Sequence, residues 1–160
     1  MPLLLVIHCA VTWVLVGLIW TVQIVLYPLF PLVRMAPDAF ASYHWRHMLG
    51  ITFLVMPLVI AEALTAAWLI WAGEQSGWLL WSLIPLLGNV LSTALVQAPL
   101  HLRLSHDLDG RLCRRLISTN WIRTACWTLR GVMVAVLLYH ELLKMGGTSA
   151  LVAALVKAWD

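Results

Sequence analysis

Histidine is the residue type in this chain best suited to chemistry, because four of the six histidines lie near one end of its apolar segments. These four are His44, His47, His101 and His106. His44 and His47 are three residues apart, so their side chains share one face of a helix. Imidazoles together with Asp107 and Asp109 would suit a divalent metal ion, and paired imidazoles from facing helices can bind haem. We therefore predict a ligand-binding or metal-binding site at this end.

The spacing of these histidines does not select one ligand. The sequence contains neither the HExxH motif of zinc enzymes nor the ExxH pair of di-iron bundles. Histidines at a membrane boundary also bind lipid headgroups, water or backbone carbonyls. Haem, a divalent metal and the polar head of a lipophilic molecule stay open as ligands, and no pattern identifies a catalytic residue.

A stripe of polar residues runs along the third apolar segment, where Asn89, Thr93, Gln97 and His101 recur every four residues. In a lipid environment such a stripe must face other helices or a water-filled cavity. We predict a pocket whose wall draws on three apolar segments, with Arg123 as the contact for an anionic group. The predicted wall consists of Gln23, Tyr27, Asn89, Thr93, Gln97 and Arg123.

Two charged residues, Glu62 and Arg130, lie deep within apolar segments. Glu62 precedes Trp71 by nine residues, or roughly 14 Å along a helix, which places it near the middle of a bilayer core about 30 Å thick. Arg130 follows Asn120 by ten residues and reaches a similar depth. A lone charge there costs at least about 2.5 kcal/mol, so we predict an intramembrane ion pair. The pair would either fix the helix register or bind a proton, an ion or an anionic ligand.

Four long apolar segments must position these residues. Of the 160 residues, 62% are hydrophobic and only 11% are charged, whereas soluble domains carry about 25% charged residues. A membrane-spanning helix needs about 20 apolar residues. We predict a single all-α transmembrane domain over residues 1–160, an integral membrane four-helix bundle followed by a short apolar tail over 148–160. The predicted spans are about 3–27, 47–71, 78–100 and 121–143, and the short second loop predicts a tight hairpin of spans two and three.

The arginines predict the orientation of this bundle. Six of the eight arginines fall in the first and third loops and Arg123 borders the third, whereas the other side carries only Lys144 and Lys157. By the positive-inside rule the arginine-rich loops are cytoplasmic and both termini lie on the outer face, as in a multi-pass protein of the bacterial inner membrane. Because the basic residues lie between hydrophobic spans, we expect lipid headgroups as their partners and no nucleic acid.

Two strings of residues stand out: Tyr-His-Trp-Arg-His over 43–47 with Glu62 downstream, and Asn-Trp-Ile-Arg over 120–123 leading to Trp127 and Arg130. They resemble segments of uncharacterised small bacterial four-helix inner-membrane proteins. The resemblance implies the fold and the membrane location, and it brings no activity.

These patterns favour a small membrane protein with a polar pocket lined by His, Gln and Arg toward the cytoplasmic leaflet. Such a pocket would serve redox chemistry or the binding of a metal, haem or a lipophilic small molecule. The alternative is a non-catalytic subunit or assembly factor of a larger membrane complex, and a homo-oligomer fits either hypothesis. A transporter is a third hypothesis, favoured only by Glu62 and Arg130, although four spans show no internal repeat.

Overall fold

The computed structural model describes residues 2–33, 37–74, 76–106, 109–146 and 148–159. Within these ranges the chain is helical apart from short turns, and it forms no strand. The α-helices are α1 (Pro2–Thr21), α2 (Phe30–Val33), α3 (Pro37–Trp71), α4 (Gly77–Ser92), α5 (Ala98–His106), α6 (Gly110–Lys144) and α7 (Thr148–Trp159). Two π-helical turns, Val22–Leu26 and Thr93–Gln97, interrupt the helices, and a 3₁₀ turn, Tyr27–Leu29, leads into α2.

Four helical stretches are long and apolar enough to cross a membrane: Pro2–Val33, Ala39–Trp71, Gly77–His106 and Gly110–Lys144. We call them spans 1 to 4. For the described residues, the predicted all-α fold and the prediction of four helices long and apolar enough to cross a membrane are therefore confirmed.

Each π-helical turn ends two residues before a proline. Val22–Leu26 precedes Pro28, and Thr93–Gln97 precedes Pro99. Proline lacks an N–H group and its ring crowds the carbonyl four residues earlier, so the turn before it must widen or kink. Pro57 lies inside α3 without such a turn, so proline permits the π-helical turn but does not dictate it.

Helices α1 and α6 form the centre of the bundle, with α3 packed on α1 and α4 packed on α6. Close approach of α1 and α6 depends on Gly131, where an added Cβ would lie 3.0 Å from the Val16 Cγ2 atom. Leu69 of α3 and Leu79 of α4 share an apolar cluster near the turn that joins them. Further inward α3 and α4 barely touch. The predicted tight hairpin of spans two and three is therefore wrong except near the turn, because α3 and α4 pack on different central helices.

The last long helix begins earlier than the sequence pattern suggests. Asp109 caps α6, since its carboxylate accepts a hydrogen bond from the Arg111 N–H at 2.8 Å. That bond, followed by the Arg111 and Arg114 charges, holds the pKa of the Asp109 carboxyl below its ordinary value. Much of the predicted third loop is therefore helix. Ser118, Thr119 and Asn120, whose residue types favour the start of a helix, lie in its interior. Arg34, Asp107, Gly147 and Asp160, on which parts of the sequence prediction depend, lie outside the described residues.

Candidate functional site

A cavity of about 230 Å³ lies among α1, α3, α6 and the second π-helical turn. Its walls are mainly apolar and include Leu15, Val55 and Trp127. One end is polar, and the side chains there are Tyr27, His47, Thr93, Gln97, His101 and Arg123. Apolar walls with a few convergent polar groups are typical of small-molecule sites, although the volume is below the usual range of about 300–1,000 Å³. The enclosed space therefore suits a head group and part of an attached chain.

The cavity opens sideways between α3 and the third span. Of the residues that line the cavity, Thr52 and Met56 of α3 and Thr93 and Ala98 of the third span are the exposed ones. The opening exists because α3 packs along α1, whereas α4 packs along α6. A chain-like molecule could therefore extend from the cavity onto the apolar side of the bundle.

A chain of hydrogen bonds runs from the polar end of the cavity to the surface. The Tyr27 Oη atom is 3.1 Å from His101 Nε2. The other ring nitrogen of His101, Nδ1, is 3.0 Å from His44 Nε2. The His44 Nδ1 atom is 3.2 Å from the Oγ atom of Ser105, an exposed residue whose hydroxyl also donates to the His101 carbonyl at 3.0 Å. Both imidazoles therefore have a hydrogen-bond partner on each nitrogen.

Aromatic side chains enclose this chain. Phe40 stacks on His44 with ring centroids 5.5 Å apart, and Phe30 meets the same imidazole edge-on at 5.9 Å. Both phenylalanines are fully buried. His47 lies beside the chain, with its ring centroid 6.3 Å from that of His101. The apolar packing leaves the imidazoles little contact with water.

Arg123 is held by a second set of hydrogen bonds. Its Nη1 atom donates to Asn120 Oδ1 at 3.2 Å, and Asn120 Nδ2 donates to Gln23 Oε1 at 2.8 Å. The Gln23 amide in turn donates to the Ile117 carbonyl at 3.4 Å. Arg123 forms no ion pair with any described residue. Its positive charge therefore faces the cavity without a carboxylate partner among those residues.

Two buried polar atoms at this end have no hydrogen-bond partner within the part of the chain that the structure describes. They are Nε of Arg123 and Oε1 of Gln97. The Gln97 amide group itself is anchored, because its Nε2 donates to the Thr119 hydroxyl at 2.9 Å. A buried polar atom left unpaired costs about 1–3 kcal/mol. The side chains that carry this unpaired donor and this unpaired acceptor both line the cavity.

The structure brings several of the residues singled out from the sequence to this end and leaves others apart. His44 lies behind the cavity wall and contacts it through His101. Gln23 positions Asn120 instead of lining the cavity. Asn89 is buried outside the wall and donates to the Pro85 carbonyl at 3.4 Å. His106 is exposed in a separate surface groove with Arg103 and Asp109.

Glu62 and Arg130 form a second buried polar cluster, away from the cavity lining. Arg130 Nε contacts the Glu62 carboxylate, and both side chains are fully buried. Arg130 Nη1 also donates to the carbonyl and hydroxyl oxygens of Ser82 at 2.7 and 2.8 Å. Sequence reasoning identified the two charges but not Ser82, whose hydroxyl lies on the span carrying the polar stripe.

Two of the residues at this site that the sequence interpretation missed could have been found from their spacing. Ser105 follows His101 by four residues and so continues the spacing of the stripe. Asn120 precedes Arg123 by three residues and shares its helix face. Thr119, which anchors Gln97, carried no signal, because its contact depends on how α5 and α6 pack.

Among the described residues, no group of three or more His, Cys, Asp or Glu side chains is placed to hold a metal ion. No family model, no curated protein and no solved structure matches this chain. The resemblance to small bacterial membrane proteins therefore stays a prediction, and the function must be argued from the site.

Proposed function

We propose that this protein spans a bacterial inner membrane four times and binds a lipophilic molecule whose anionic or hydrogen-bonding head lies at the polar end of the cavity. The cavity would open to the cytoplasmic leaflet, and both termini would lie on the outer face. The tail of the ligand would leave through the opening between α3 and the third span and lie among lipid chains.

The observation that carries this proposal is that an unpaired donor and an unpaired acceptor belong to side chains lining the polar end of an otherwise apolar cavity. An anionic oxygen could accept from the Arg123 guanidinium, and a hydroxyl could donate to the Gln97 carbonyl oxygen. Because Arg123 has no carboxylate partner among the described residues, an anionic head would also balance its charge. An apolar head would leave both atoms unpaired.

Position along the spans supports the cytoplasmic leaflet. Arg103 lies on the same helix as His101, and Arg111, Arg114 and Arg115 lie on α6 on the same side of Arg123. Arginine is enriched in segments that stay on the cytoplasmic side of a membrane. The cavity end that carries Arg123 would therefore lie within that leaflet.

Native mass spectrometry of the detergent-solubilised protein tests the head-group preference. The probes are oleate and oleyl alcohol, which share a chain and differ in the charge of the head. We expect oleate to bind one-to-one and more tightly than the alcohol. The Arg123→Gln variant should bind oleate about tenfold more weakly, because it loses a charge-assisted hydrogen bond. Equal affinity of the two probes for the unaltered protein would contradict the proposed anionic contact.

A pair of substitutions on the third span tests the location. Ala98 lines the opening, whereas Ala94 is exposed one turn earlier and lies outside the cavity lining. Ala98→Phe should block oleate binding, and Ala94→Phe should leave it unchanged. If both variants bind like the unaltered protein, the ligand lies elsewhere.

One feature favours the alternative of a subunit or assembly factor. Trp71 and Trp81 are 79% and 64% exposed near the outer ends of α3 and α4, where a partner helix could cover them. A stoichiometric partner that co-purifies with the protein, together with no binding of either probe, would make this alternative the better one. An absorbance spectrum of the same preparation would reveal haem.

A further inference from the structure

We propose that a hydrogen-bonded chain of side chains carries protons between the surface and the cavity, and that it consists of Ser105, His44, His101 and Tyr27. The molecule in the cavity would then be a lipophilic weak acid, such as a phenol, that exchanges its proton with Tyr27. This inference rests on the proposed function, because it names the class of ligand that the same cavity would take.

Continuity is the first observation that supports a relay. The three successive contacts from Tyr27 to Ser105 are 3.1, 3.0 and 3.2 Å long, all within hydrogen-bonding distance. These contacts join two hydroxyls and two imidazoles, and each of these groups can both donate and accept a hydrogen bond. Tyr27 and His101 line the cavity, so the inner end of the chain reaches the ligand.

Burial is the second observation. Tyr27 and His44 are each 1% exposed and His101 is 7% exposed, whereas Ser105 is exposed. Phe30 and Phe40 cover His44, so water cannot easily replace the side-chain path there. A chain of hydrogen bonds with a purely structural role would not need to run from an exposed serine at one end to a cavity at the other.

The transfer balances without any oxidant or reductant. When a proton moves from the surface to the cavity, Tyr27 gives its hydroxyl proton to the basic form of the ligand and takes the Nε2 proton of His101. His101 Nδ1 then takes the Nε2 proton of His44. The Ser105 hydroxyl, which otherwise donates to the His101 carbonyl at 3.0 Å, turns and gives its proton to His44 Nδ1. Ser105 recovers a proton from water, and each imidazole ends as its other neutral tautomer. A proton that leaves follows the reverse order, and the two imidazoles switch back.

The charged and ionisable groups around the chain favour this neutral, stepwise tautomer exchange. Arg123 contributes a positive charge from α6, and His47 and Tyr43 flank the chain from α3. None of the described carboxylates forms an ion pair with either imidazole of the relay. A lasting positive charge on His101 would therefore be repelled by Arg123 and offset by no acid among those residues.

Arg123 also explains why the ligand should be an acid. When the ligand loses its proton, the resulting oxygen anion can accept a hydrogen bond from the unpartnered Nε of Arg123. Tyr27 and Arg123 both line the polar end, so one head group can reach the proton path and the positive charge. A lipophilic phenol meets both requirements.

A 7-hydroxycoumarin with a long alkyl chain is a suitable probe, because its excited state releases a proton and the phenol and phenolate emit at different wavelengths. It is used at a pH where the ground state is the neutral phenol. Time-resolved emission of the bound probe should show phenolate formation in the unaltered protein. His44→Phe, which suits its phenylalanine neighbours, should slow that formation about 100-fold while probe affinity stays within about twofold.

Two neighbouring exposed positions provide a matched control in case His44→Phe does not fold. Ser105→Leu removes the outer end of the chain and should slow phenolate formation, whereas His106→Leu should not. A bound probe that forms phenolate at the unaltered rate in His44→Phe or Ser105→Leu would overturn the relay alone. Failure of both the coumarin and oleate to bind the unaltered protein would overturn the proposed function.

Nitrogen NMR tests the chain without any ligand. In protein labelled with ¹⁵N-histidine, a scalar coupling between His44 Nε2 and His101 Nδ1 should report their shared proton. Its loss in His44→Phe assigns the signal. Absence of the coupling in the unaltered protein would overturn the relay, whatever the probes show.

Discussion

At the scale of single residues, the Glu62–Arg130 pair should be the most sensitive point for stability. Both side chains are fully buried, and removing one leaves the other charge without its partner. Breaking a buried pair in this way costs about 3–5 kcal/mol. Glu62→Gln and Arg130→Gln should each lower the free energy of unfolding by that amount, measured by thermal or chemical denaturation in detergent.

The double variant provides the diagnostic comparison. Because it removes both charges, we expect it to be less destabilised than the sum of the single variants. Lys144→Gln is the matched control, since it breaks the exposed Lys144–Glu141 contact of 2.5 Å and should cost less than about 1 kcal/mol. Strict additivity in the Glu62–Arg130 cycle would show that the contact contributes no coupling.

Residue depth could be predicted from the sequence, whereas residue partners could not. His47 precedes Trp71 by 24 residues and His101 follows Trp78 by 23, so a count along the two helices predicts one common level, and both residues line the cavity. The same count could not say that His101 would bond to His44 and Tyr27, with Thr119 bonding to Gln97. Those contacts depend on how each helix is rotated about its axis, which residue spacing alone does not determine.

At the scale of helices, the π-helical turn Thr93–Gln97 should matter for binding more than for stability. A π-helical turn equals one extra residue in an α-helix, and such turns occur often at functional sites. This turn supplies Thr93 and Gln97 to the cavity wall. Deletion of the exposed Leu95 together with Pro99→Ala should restore a continuous α-helix.

We expect that double change to leave the melting temperature equal or higher while it abolishes oleate binding. The reason is that regular α-helical hydrogen bonds return while the Gln97 side chain leaves its position at the cavity. Pro99→Ala alone keeps the number of residues and serves as the control. A variant that loses stability but still binds oleate would mean that the turn is needed for folding and not for the site.

Helix ends show why the elements were only partly predictable. Hydropathy gave the apolar parts of the four spans, but α6 runs from Gly110, well before the apolar part that begins near Trp121. Charged residues in a helix outside the apolar zone carry no hydropathy signal, and Ser118 to Asn120 resembled a cap. The actual cap is Asp109, whose carboxylate accepts the Arg111 N–H.

At the scale of the whole molecule, the site follows from how the spans pack. Because α3 lies on α1 and α4 lies on α6, the second and third spans separate along their length beyond the turn that joins them. The space between them becomes the opening of the cavity, bordered by Thr52 and Ala98. A loop length indicates which helices are antiparallel, but it does not determine which helix surfaces are complementary, so this separation could not be read from the sequence.

Orientation in the membrane is the prediction that belongs to this scale. Arginines in the segments at the cavity end outnumber the basic residues at the other end, where Lys144 and Lys157 lie. Reporter fusions after Asp109 should therefore be active on the cytoplasmic side, and fusions after Trp159 on the outer side.

Changing the charges tests the cause of that orientation. If the arginine excess sets it, replacing Arg111, Arg114 and Arg115 by Gln should weaken the preference, and moving basic residues to the short turn around Gly73 should weaken it further. Substitution of the two exposed leucines of the same helix, Leu129 and Leu143, by isoleucine controls for sequence change alone. An outer location for the Asp109 fusion would reverse the orientation, and the cavity end with Arg123 would then lie in the outer leaflet. A cytoplasmic location for both fusions would mean that the four helices do not all cross the membrane.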